Sequence, residues 1–575
     1  MKYSNLENFT LVVNLLKKKS IKNIVISPGG TNIIITKAVQ SDRFFQCYSV
    51  VDERSAVYYA IGIYLQTGMP VATICTSAQA TRNYIPGLTE AFYKKVPILA
   101  ITMEKHPRFK YQEYMQAPDQ TSLPNDCVKK SFELPFISDI NDVYHSIRLV
   151  NQAILELTHN GYGPVQLCIP LLDFQLSKVE TPFREIKRFD VDFVKNIDFS
   201  KKKILIAIGE HRPFSETESD AIDHFCKYTD SVIYTNHLSN FKNDYSLNAN
   251  LLLATVNDEE LKKLKPDILI TIGGQTGDYP FYLCFSKNNL ICFEHWRICE
   301  DGDVVDTYDK LTLIFQGAES DFFSGAKEIE STHCFFDIWQ QELAKRKNNI
   351  TVPFSNVSIA QYLHSRLPKK SIVQFSILNS LRVWNFFRLD PSIECYSNVG
   401  AFGIDGGMST LIGQSVVTNK ISIMVIGDLA FFYDMNSLSI RHIRNNLRVL
   451  LINNNGGIEF KLRGEERTVV DDYIAAANHN LNAKGWAETC GFKYLCANNI
   501  FEFVNSAEEF LSDSMNPVIF EVFVNDQDES KAYLSIIEAN QTKTASEIVK
   551  FNIIKSVKGI IGKDNFDELK KKIKR

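Results

Sequence analysis

The chain has 575 residues and a formal net charge of −4, and 45% of its residues are hydrophobic and 23% charged. This length exceeds a single hydrophobic core and predicts about three or four domains, while the small acidic balance gives no reason to expect a nucleic-acid partner. The 12 cysteines form no Cys-x-x-Cys pair and no apolar run reaches about 18 residues, so we expect a cytoplasmic protein without a zinc site, a disulfide framework or a membrane span.

The first predicted domain, residues 1–180, alternates short apolar runs with helical patterns. A helical pattern occurs at residues 55–66, and the predicted strands are residues 21–26, 71–75, 96–101 and 165–169. Alternation of strands and helices is typical of a parallel sheet that is covered by helices on both faces. We therefore expect a doubly wound α/β domain.

A second domain is predicted over residues 181–350, after a polar and charged stretch. Its apolar runs at residues 204–209 and 268–274 both end in glycine, which is typical of another doubly wound sheet. The chain then passes through a polar linker at residues 347–353. A third α/β domain is predicted over residues 351–535.

The last predicted segment, residues 536–575, is an appended helical tail. Its apolar residues fall near helical spacing, and residues 570–575 are almost all basic. This pattern favours a helix on the protein surface with a solvated basic end. Binding of the tail to a membrane surface or to a partner is the less favoured alternative.

Two polar motifs follow neighbouring predicted strands of the third domain. Asp428 comes directly after residues 421–426, and the Asn-Asn-Asn-Gly-Gly run at residues 453–457 comes directly after residues 448–452. Each motif alone is typical of a turn, a helix cap or a loop. Together they bring a carboxylate and amide oxygens to one edge of a parallel sheet, and these are ligands that suit Mg²⁺ together with substrate phosphates. The pair therefore predicts a metal ion that binds a diphosphate.

The spacing of the two motifs, with Asn455 placed 27 positions after Asp428 (455 − 428), resembles that of thiamine diphosphate (ThDP) enzymes. Such enzymes also need a carboxylate against the aminopyrimidine ring, because that acid activates the thiazolium carbon of the cofactor. Glu53, at the predicted start of a helix, is the candidate. The local pattern alone favours a capping acid. An acid in the first domain and a metal motif in the third match the ThDP layout.

Longer matches make the resemblance more specific. Over roughly residues 10–530 the chain resembles the MenD family, whose members are ThDP-dependent synthases of 2-succinyl-5-enolpyruvyl-6-hydroxy-3-cyclohexene-1-carboxylate. The segments that carry this resemblance are residues 27–30, 51–54, 76–77, 83–91, 116–117, 397–406, 427–436 and 453–457. The resemblance implies three doubly wound domains. In chain order they are a pyrimidine-binding (Pyr) domain, a middle domain and a diphosphate-binding (PP) domain.

The resemblance also implies roles for individual residues. Glu53 becomes the pyrimidine activator, and Gln116 becomes a polar group near the reacting carbon. The implied Mg²⁺ ligands are Asp428, Asn455 and the Gly457 carbonyl. The other implied cofactor-binding residues are Ser77, Gly403, Ile404 (an apolar support beneath the cofactor), Gly427, Ile458, and Leu429 and Ala430, whose amides would contact phosphate. The resemblance further implies a homodimer or homotetramer with active sites at the subunit interface.

The chain departs from the family pattern where the family binds substrate. Basic residues of the family are replaced by Thr31, Asp278, Tyr279, Val399 and Trp384. In the family these arginines bind the carboxylates of 2-oxoglutarate and isochorismate, and arginine pairs with carboxylate through two parallel hydrogen bonds. We therefore expect a changed substrate. The substrate-binding candidates are Gly30, Thr31, Lys105, Arg382 and Trp384.

The favoured function is a ThDP- and Mg²⁺-dependent lyase or transferase. It would decarboxylate a 2-oxo acid and pass the acyl carbanion to an acceptor other than isochorismate, with a sugar derivative as the candidate. Three alternatives remain open: genuine MenD synthase activity, simple decarboxylation with a proton as acceptor, and a non-catalytic scaffold.

Overall fold

The structure is a computed structural model that describes residues 7–105, 107, 117–170, 183–286, 291–328, 331–400, 403–462 and 479–541. The chain forms two compact units, Met1–Asp190 with Cys299–Gly317, and Val191–Ile298 with Ala318–Arg575. Within the described ranges, no helix has both the length and the apolar character to cross a membrane. The predicted tail from residue 542 onward lies outside the described residues. The predicted domain boundaries stay predictions.

The first unit contains a six-stranded parallel sheet in the order β2-β1-β3-β4-β6-β5. Its strands are β1 (Asn23–Ile26), β2 (Gln46–Ser49), β3 (Val71–Cys75), β4 (Ile98–Glu104), β5 (Ser131–Glu133) and β6 (Val165–Pro170). Its helices are α1 (Glu7–Lys18), α2 (Ile33–Gln40), α3 (Glu53–Thr67), α4 (Gln79–Asn83), α5 (Ile85–Tyr93) and α6 (Ile140–Glu156). Strands β7 (Lys187–Asp190) and β13 (Leu311–Gln316) of this unit pair in parallel.

The central strands of this sheet are buried on both faces, which explains their continuous apolar sequence. Every residue of β3 and β4 is buried. Two apolar clusters form the core, one around α1, α2 and α6 and the other around α3 and α5. The four apolar runs predicted as strands in residues 1–180 correspond to β1, β3, β4 and β6.

The second unit begins with parallel strands in the order β10-β9-β8-β11-β12. These are β8 (Lys203–Ile208), β9 (Asp230–Thr235), β10 (Ser246–Asn248), β11 (Ile268–Ile272) and β12 (Glu294–Cys299). The helices of this part are α7 (Glu216–Lys227), α8 (Asn250–Thr255), α9 (Asp258–Lys263), α10 (Tyr279–Phe285), α11 (Glu319–Ser324) and α12 (Cys334–Ala344).

The remainder of the second unit contains another six-stranded parallel sheet, in the order β15-β14-β16-β17-β19-β18. Its strands are β14 (Ile372–Phe375), β15 (Glu394–Ser397), β16 (Ser422–Gly427), β17 (Leu447–Asn453), β18 (Lys493–Ala497) and β19 (Val518–Phe523). Its helices are α13 (Asn356–Leu363), α14 (Asn379–Trp384), α15 (Gly407–Val416), α16 (Asp428–Tyr433), α17 (Lys484–Thr489), α18 (Ile500–Leu511) and α19 (Asp526–Asn540).

This last sheet repeats the strand order of the first sheet. In both sheets the second strand along the chain lies at one edge beside the first, and the fifth strand lies at the other edge beside the sixth. The exchange creates a switch point between β14 and β16, where open α/β sheets bind ligands beyond the carboxyl ends of their strands. Gly427 at the end of β16 is in register with Ile452 near the end of β17. The loops after β14, β16 and β17 therefore meet at one edge. The predicted architecture of parallel, doubly wound α/β sheets is confirmed.

Candidate functional site

Asp428 occupies the centre of the candidate site, at the carboxyl end of β16 and the first turn of α16. Its side chain is 1% exposed. Its Oδ2 accepts hydrogen bonds from the backbone N–H groups of Asn454 (2.9 Å) and Gly456 (3.0 Å), and its Oδ1 accepts one from Leu429 (2.7 Å). Burial raises the pKa of the Asp428 carboxyl, although these N–H groups and the nearby His479 act in the opposite direction.

His479 is the second ionisable group at this position. Its Nε2 lies 3.4 Å from Asp428 Oδ2, and its backbone N–H donates to the Asn455 carbonyl at 3.1 Å. The ring packs edge-on against Phe432, with the ring centroids 5.2 Å apart. His479 is not predictable from the sequence, because no motif or spacing in the sequence connects it with Asp428.

The asparagine run after β17 supplies amide oxygens next to this carboxylate. Asn453 donates from its side chain to Glu521 at 2.7 Å and accepts from the backbone N–H of Asn455 at 3.1 Å, which fixes the turn. Asn454 Oδ1 is buried and has no hydrogen-bond partner among the described residues. Asn455, the predicted ligand, has an exposed side chain and a left-handed backbone with φ of 61°. Such a conformation is tolerated best by asparagine and glycine.

The oxygen atoms of these residues are suitable ligands for a hard divalent cation. No group of three or more His, Cys, Asp and Glu side chains with metal-binding geometry occurs in the part of the chain that the structure describes. The available set is instead one carboxylate, the unpartnered Asn454 amide oxygen, the Asn455 amide and main-chain carbonyls such as that of Gly457. Mg²⁺ accepts such a set and completes its octahedron with water and phosphate oxygens.

The loop after β15 carries the apolar residue that was assigned to cofactor support. Ile404 is 37% exposed and presents an apolar side chain in the loop that follows β15. At Gly403 a Cβ atom would lie 2.4 Å from Asp405 Oδ1, so a larger residue would require the Asp405 side chain to shift. Leu429 and Ala430 lie in the first turn of α16, and Ile458 begins the 3₁₀ turn Ile458–Phe460.

Glu53 lies in the first unit and is the first residue of α3. Its neighbour Asp52 is the N-cap, because the Asp52 side chain accepts from the backbone N–H of Arg54 at 3.2 Å. The capping role that the local pattern favoured for Glu53 is therefore taken by Asp52. The half-buried Glu53 carboxylate instead accepts from Asn83 Nδ2 at 3.2 Å.

The other first-unit candidates cluster at the ends of β1, β3 and β4. Thr31 Oγ1 contacts Thr76 Oγ1 and accepts from the backbone N–H of Ser77 at 3.2 Å. Ser77 Oγ is buried and has no partner among the described residues. Gly30 is exposed, with open space around the position of a Cβ atom, and Lys105 directly follows β4. Gln116 lies outside the described residues.

In the second unit, three positions where the sequence departs from the family pattern are occupied by core or capping residues. Val399 is fully buried, and its side chain lies 2.8 Å from the position a Cβ atom would take on Gly277. Trp384 is also fully buried and donates from its indole N–H to Asn356 at 3.2 Å, so this candidate lies in the core. Asp278 caps α10 by accepting from the Phe281 N–H at 3.0 Å.

Arg382 is paired within the protein. Its Nη1 and Nη2 donate to the two carboxylate oxygens of Glu459, at 2.6 and 3.1 Å. Burial opposes the charge of Arg382, but the hydrogen bonds and charge of Glu459 outweigh it and raise the pKa of the guanidinium. No sequence motif singles out Glu459.

Comparison with known proteins relates these features to a family. Residues 7–123 match the thiamine pyrophosphate enzyme N-terminal TPP binding domain, thiamine pyrophosphate being another name for ThDP. The 2-succinyl-5-enolpyruvyl-6-hydroxy-3-cyclohexene-1-carboxylate synthase of Bacteroides fragilis is 31% identical over 544 residues, covering 91% of this chain and 97% of that protein. The protein of the same name from Phocaeicola vulgatus is 30% identical over 542 residues, covering 91% and 96%. The chain therefore belongs to the MenD-like family of ThDP-dependent enzymes.

Proposed function

We propose that this protein is a ThDP- and Mg²⁺-dependent enzyme that decarboxylates a 2-oxo acid and joins the remaining acyl group to an acceptor other than isochorismate. A sugar derivative is the candidate acceptor. The membership of the chain in a family of carbon–carbon bond-forming ThDP enzymes supports the reaction class. The change of acceptor is the part of the proposal that distinguishes this chain from its relatives.

The proposed cofactor site uses residues at the carboxyl edges of the sheets. Asp428, Asn455 and the Gly457 carbonyl would hold Mg²⁺, and the N–H group of Ala430 would bind the diphosphate, while the N–H group of Leu429 donates to Asp428 Oδ1. When bound, ThDP supplies the thiazolium carbon that attacks the 2-oxo acid and the ring that takes up the electrons of the broken bond. Ile404 would support the cofactor from its apolar side, together with Gly403, Gly427, Ile458 and Ser77.

Two side chains are proposed to handle protons. Glu53 would hold the proton at the pyrimidine ring nitrogen, a role supported by its half-buried position and by the Asn83 amide that orients its carboxylate. Gln116 would place a polar group near the reacting carbon. The N-cap of α3 is Asp52, so Glu53 is not needed to cap the helix.

The proposed change of acceptor rests mainly on the position and contacts of Asp278. The carboxylate stands where the family has a basic residue, and it accepts from Tyr234 OH (2.9 Å) and Asn236 Nδ2 (2.8 Å) in addition to capping α10. A buried acid in this position cannot attract an anionic acceptor, and the apolar Val399 nearby offers no charge either. Because these two positions offer no cation to a carboxylate, an uncharged or hydroxyl-rich acceptor is favoured over isochorismate.

Self-association is proposed through the exposed face of α3. Tyr58 and Leu65 lie on one face of this helix, and Leu65 is 60% exposed. Exposed apolar side chains grouped on one helix mark an association surface, and the occupant we propose is a second copy of the chain. We therefore propose a homodimer or homotetramer in the cytoplasm, with active sites at the subunit interface.

The proposal is tested with purified protein, ThDP and Mg²⁺. We expect CO₂ release from at least one of pyruvate, 2-oxobutyrate and 2-oxoglutarate, and a new carbon–carbon bond when a keto-sugar or aldehyde acceptor is added. Absence of CO₂ release from all three acids, together with absence of C2 proton exchange on ThDP, would refute the enzymatic proposal. Release of CO₂ without any ligated product would support simple decarboxylation.

Genuine synthase activity is the second candidate. It is favoured by the 30–31% identity to proteins of that name over 91% of this chain. An assay with isochorismate and 2-oxoglutarate separates the two candidates. Formation of the succinyl-enolpyruvyl product at a rate equal to or above that with any other acceptor would establish the synthase function and end the proposal of a changed acceptor.

A further inference from the structure

The ion pair between Arg382 and Glu459 joins two elements at the carboxyl edge of the sheet formed by β14 to β19. Arg382 lies on α14, which follows β14, and Glu459 lies in the 3₁₀ turn Ile458–Phe460, which follows β17. Glu459 is therefore two residues beyond Gly457, whose carbonyl is a proposed metal ligand. The pair therefore lies beyond the carboxyl ends of β14 and β17, where open α/β sheets bind their ligands.

The pair engages both terminal nitrogens of the Arg382 guanidinium group. Both terminal nitrogens of Arg382 bind the same carboxylate, at 2.6 and 3.1 Å. The side chains are 12% and 28% exposed for Arg382 and Glu459, so solvent screens their interaction only weakly. The guanidinium carbon also lies 5.7 Å from the ring centroid of Tyr279, which stabilises the cation from another side.

A carboxylate that is held in this way opposes the binding of a second carboxylate at Arg382. An incoming anion would have to displace Glu459 from the planar fork of Arg382, or else lie beside the negative charge of Glu459. Lys461 on the same turn is also engaged, because its Nζ lies 2.6 Å from Asp526. Arg382 on α14 and Lys461 at the end of the turn are thus both paired with acids of the protein.

We propose that Glu459 is a specificity-determining residue that selects 2-oxo acids with an uncharged side chain and rejects dicarboxylic ones such as 2-oxoglutarate. Glu459 binds Arg382, which would otherwise bind the distal carboxylate of a dicarboxylic 2-oxo acid. This inference rests on the proposed function, since it concerns the donor of that reaction. It adds a residue and a mechanism of selection that the family resemblance does not contain.

The test compares four forms of the full-length protein: unmodified, Glu459→Gln, the double variant Glu459→Gln with Arg382→Gln, and Glu394→Gln. The last is the matched control, because Glu394 forms an ion pair with Lys420 at the opposite edge of the same sheet. Two readouts are used: kcat/KM for 2-oxobutyrate and 2-oxoglutarate, and calorimetric binding of the unreactive pair butyrate and succinate.

We expect Glu459→Gln to raise the preference for 2-oxoglutarate over 2-oxobutyrate, and for succinate over butyrate, by about tenfold or more, since a bidentate charged contact is gained. The double variant should lose this gain because it lacks the cation, and it also contains no unpaired buried charge that would impair folding. The Glu394→Gln control should keep the ratios of the unmodified protein.

Equal losses for both acids in Glu459→Gln would overturn the inference and make the pair a structural tether of the turn. Retention of the gain in the double variant would also overturn it. Failure of every form to decarboxylate any 2-oxo acid would instead refute the proposed function, and the succinate and butyrate titration would then decide the role of Glu459 by itself.

Discussion

His479 Nε2 lies 3.4 Å from Asp428 Oδ2, and the same carboxylate oxygen accepts the backbone N–H groups of Asn454 and Gly456. The Asp428 carboxylate therefore fixes the loop after β17 and also lies close to the imidazole of His479, which is 51 positions later in the chain (479 − 428). The three backbone donors leave about one of the four acceptor positions of the ionised carboxylate for a cation, since His479 Nε2 at 3.4 Å makes no hydrogen bond to it.

Replacement of Asp428 by asparagine should remove the main anionic metal ligand. We expect the Mg²⁺-dependent affinity for ThDP to fall at least about 100-fold, since losing even a residue that only orients a metal ligand costs about 10- to 100-fold. Calorimetric titration of ThDP at several Mg²⁺ concentrations measures the loss. Asp434→Asn is the matched control, because Asp434 follows the same helix but binds Ser409 at 3.1 Å. Equal affinities in both variants would contradict the assignment of Asp428.

Glu53→Gln should separate activation of the cofactor from its binding. The amide keeps the size of the side chain but cannot hold the ring proton, so we expect a loss of about 10²- to 10⁴-fold in turnover with little change in ThDP affinity. Exchange of the ThDP C2 proton for deuterium, followed by NMR, reports the activation step directly. Asp52→Asn is the neighbouring control, since asparagine caps a helix about as well as aspartate and the variant should leave the exchange rate unchanged. Wild-type exchange in Glu53→Gln would remove Glu53 from the mechanism.

The sequence predicted the sheet edge well because strand burial and register follow from local pattern. The apolar residues before Asp428 and before the asparagine run form β16 and β17, and Gly427 pairs with Ile452, so the two motifs had to meet. His479 and Glu459 were not predictable in this way. Their partners are distant in sequence, and an isolated acid or imidazole carries no periodic signal.

Helix geometry explains the outcome at Trp384 and Arg382. Residues two positions apart on α14 point about 200° away from each other, since each residue turns the helix by about 100°. Trp384 consequently lies in the core, while Arg382 reaches Glu459. Alignment by position could not reveal this difference, because it depends on which face of the short helix is buried.

The exposed face of α3 makes self-association testable. Leu65→Glu places a charge in the middle of this face, and burying it in an interface would cost several kcal/mol, so we expect the oligomer to dissociate. Sedimentation velocity measures the change. Met515→Glu is the control, because Met515 is 90% exposed and lies in a loop far along the chain from α3. An unchanged sedimentation coefficient for Leu65→Glu would place the interface elsewhere.

The raised pKa of Asp278 predicts that the free energy of unfolding decreases as the pH rises from about 4 to about 6. Burial raises the pKa of its carboxyl to about 6, although Phe281, Asn236, Tyr234 and Asn250 all act to lower it. A carboxyl whose pKa is higher in the folded state than in the unfolded state binds its proton more tightly when folded. Its contribution to stability is therefore greatest below about pH 4 and is lost as the pH rises to about 6.

Asp278→Asn removes this titration. Between pH 4 and pH 7 the free energy of unfolding of the unmodified protein should fall by on the order of 3 kcal/mol relative to that of the variant, because the pKa shift of about two units is worth about 1.4 kcal/mol per unit. Urea unfolding at several pH values measures the difference. Glu259→Gln, on the exposed side of the nearby α9, should show no such trend. If the stability difference between Asp278→Asn and the unmodified protein stays constant across this range, Asp278 keeps an ordinary pKa and its charge is stabilised by its three donors despite burial.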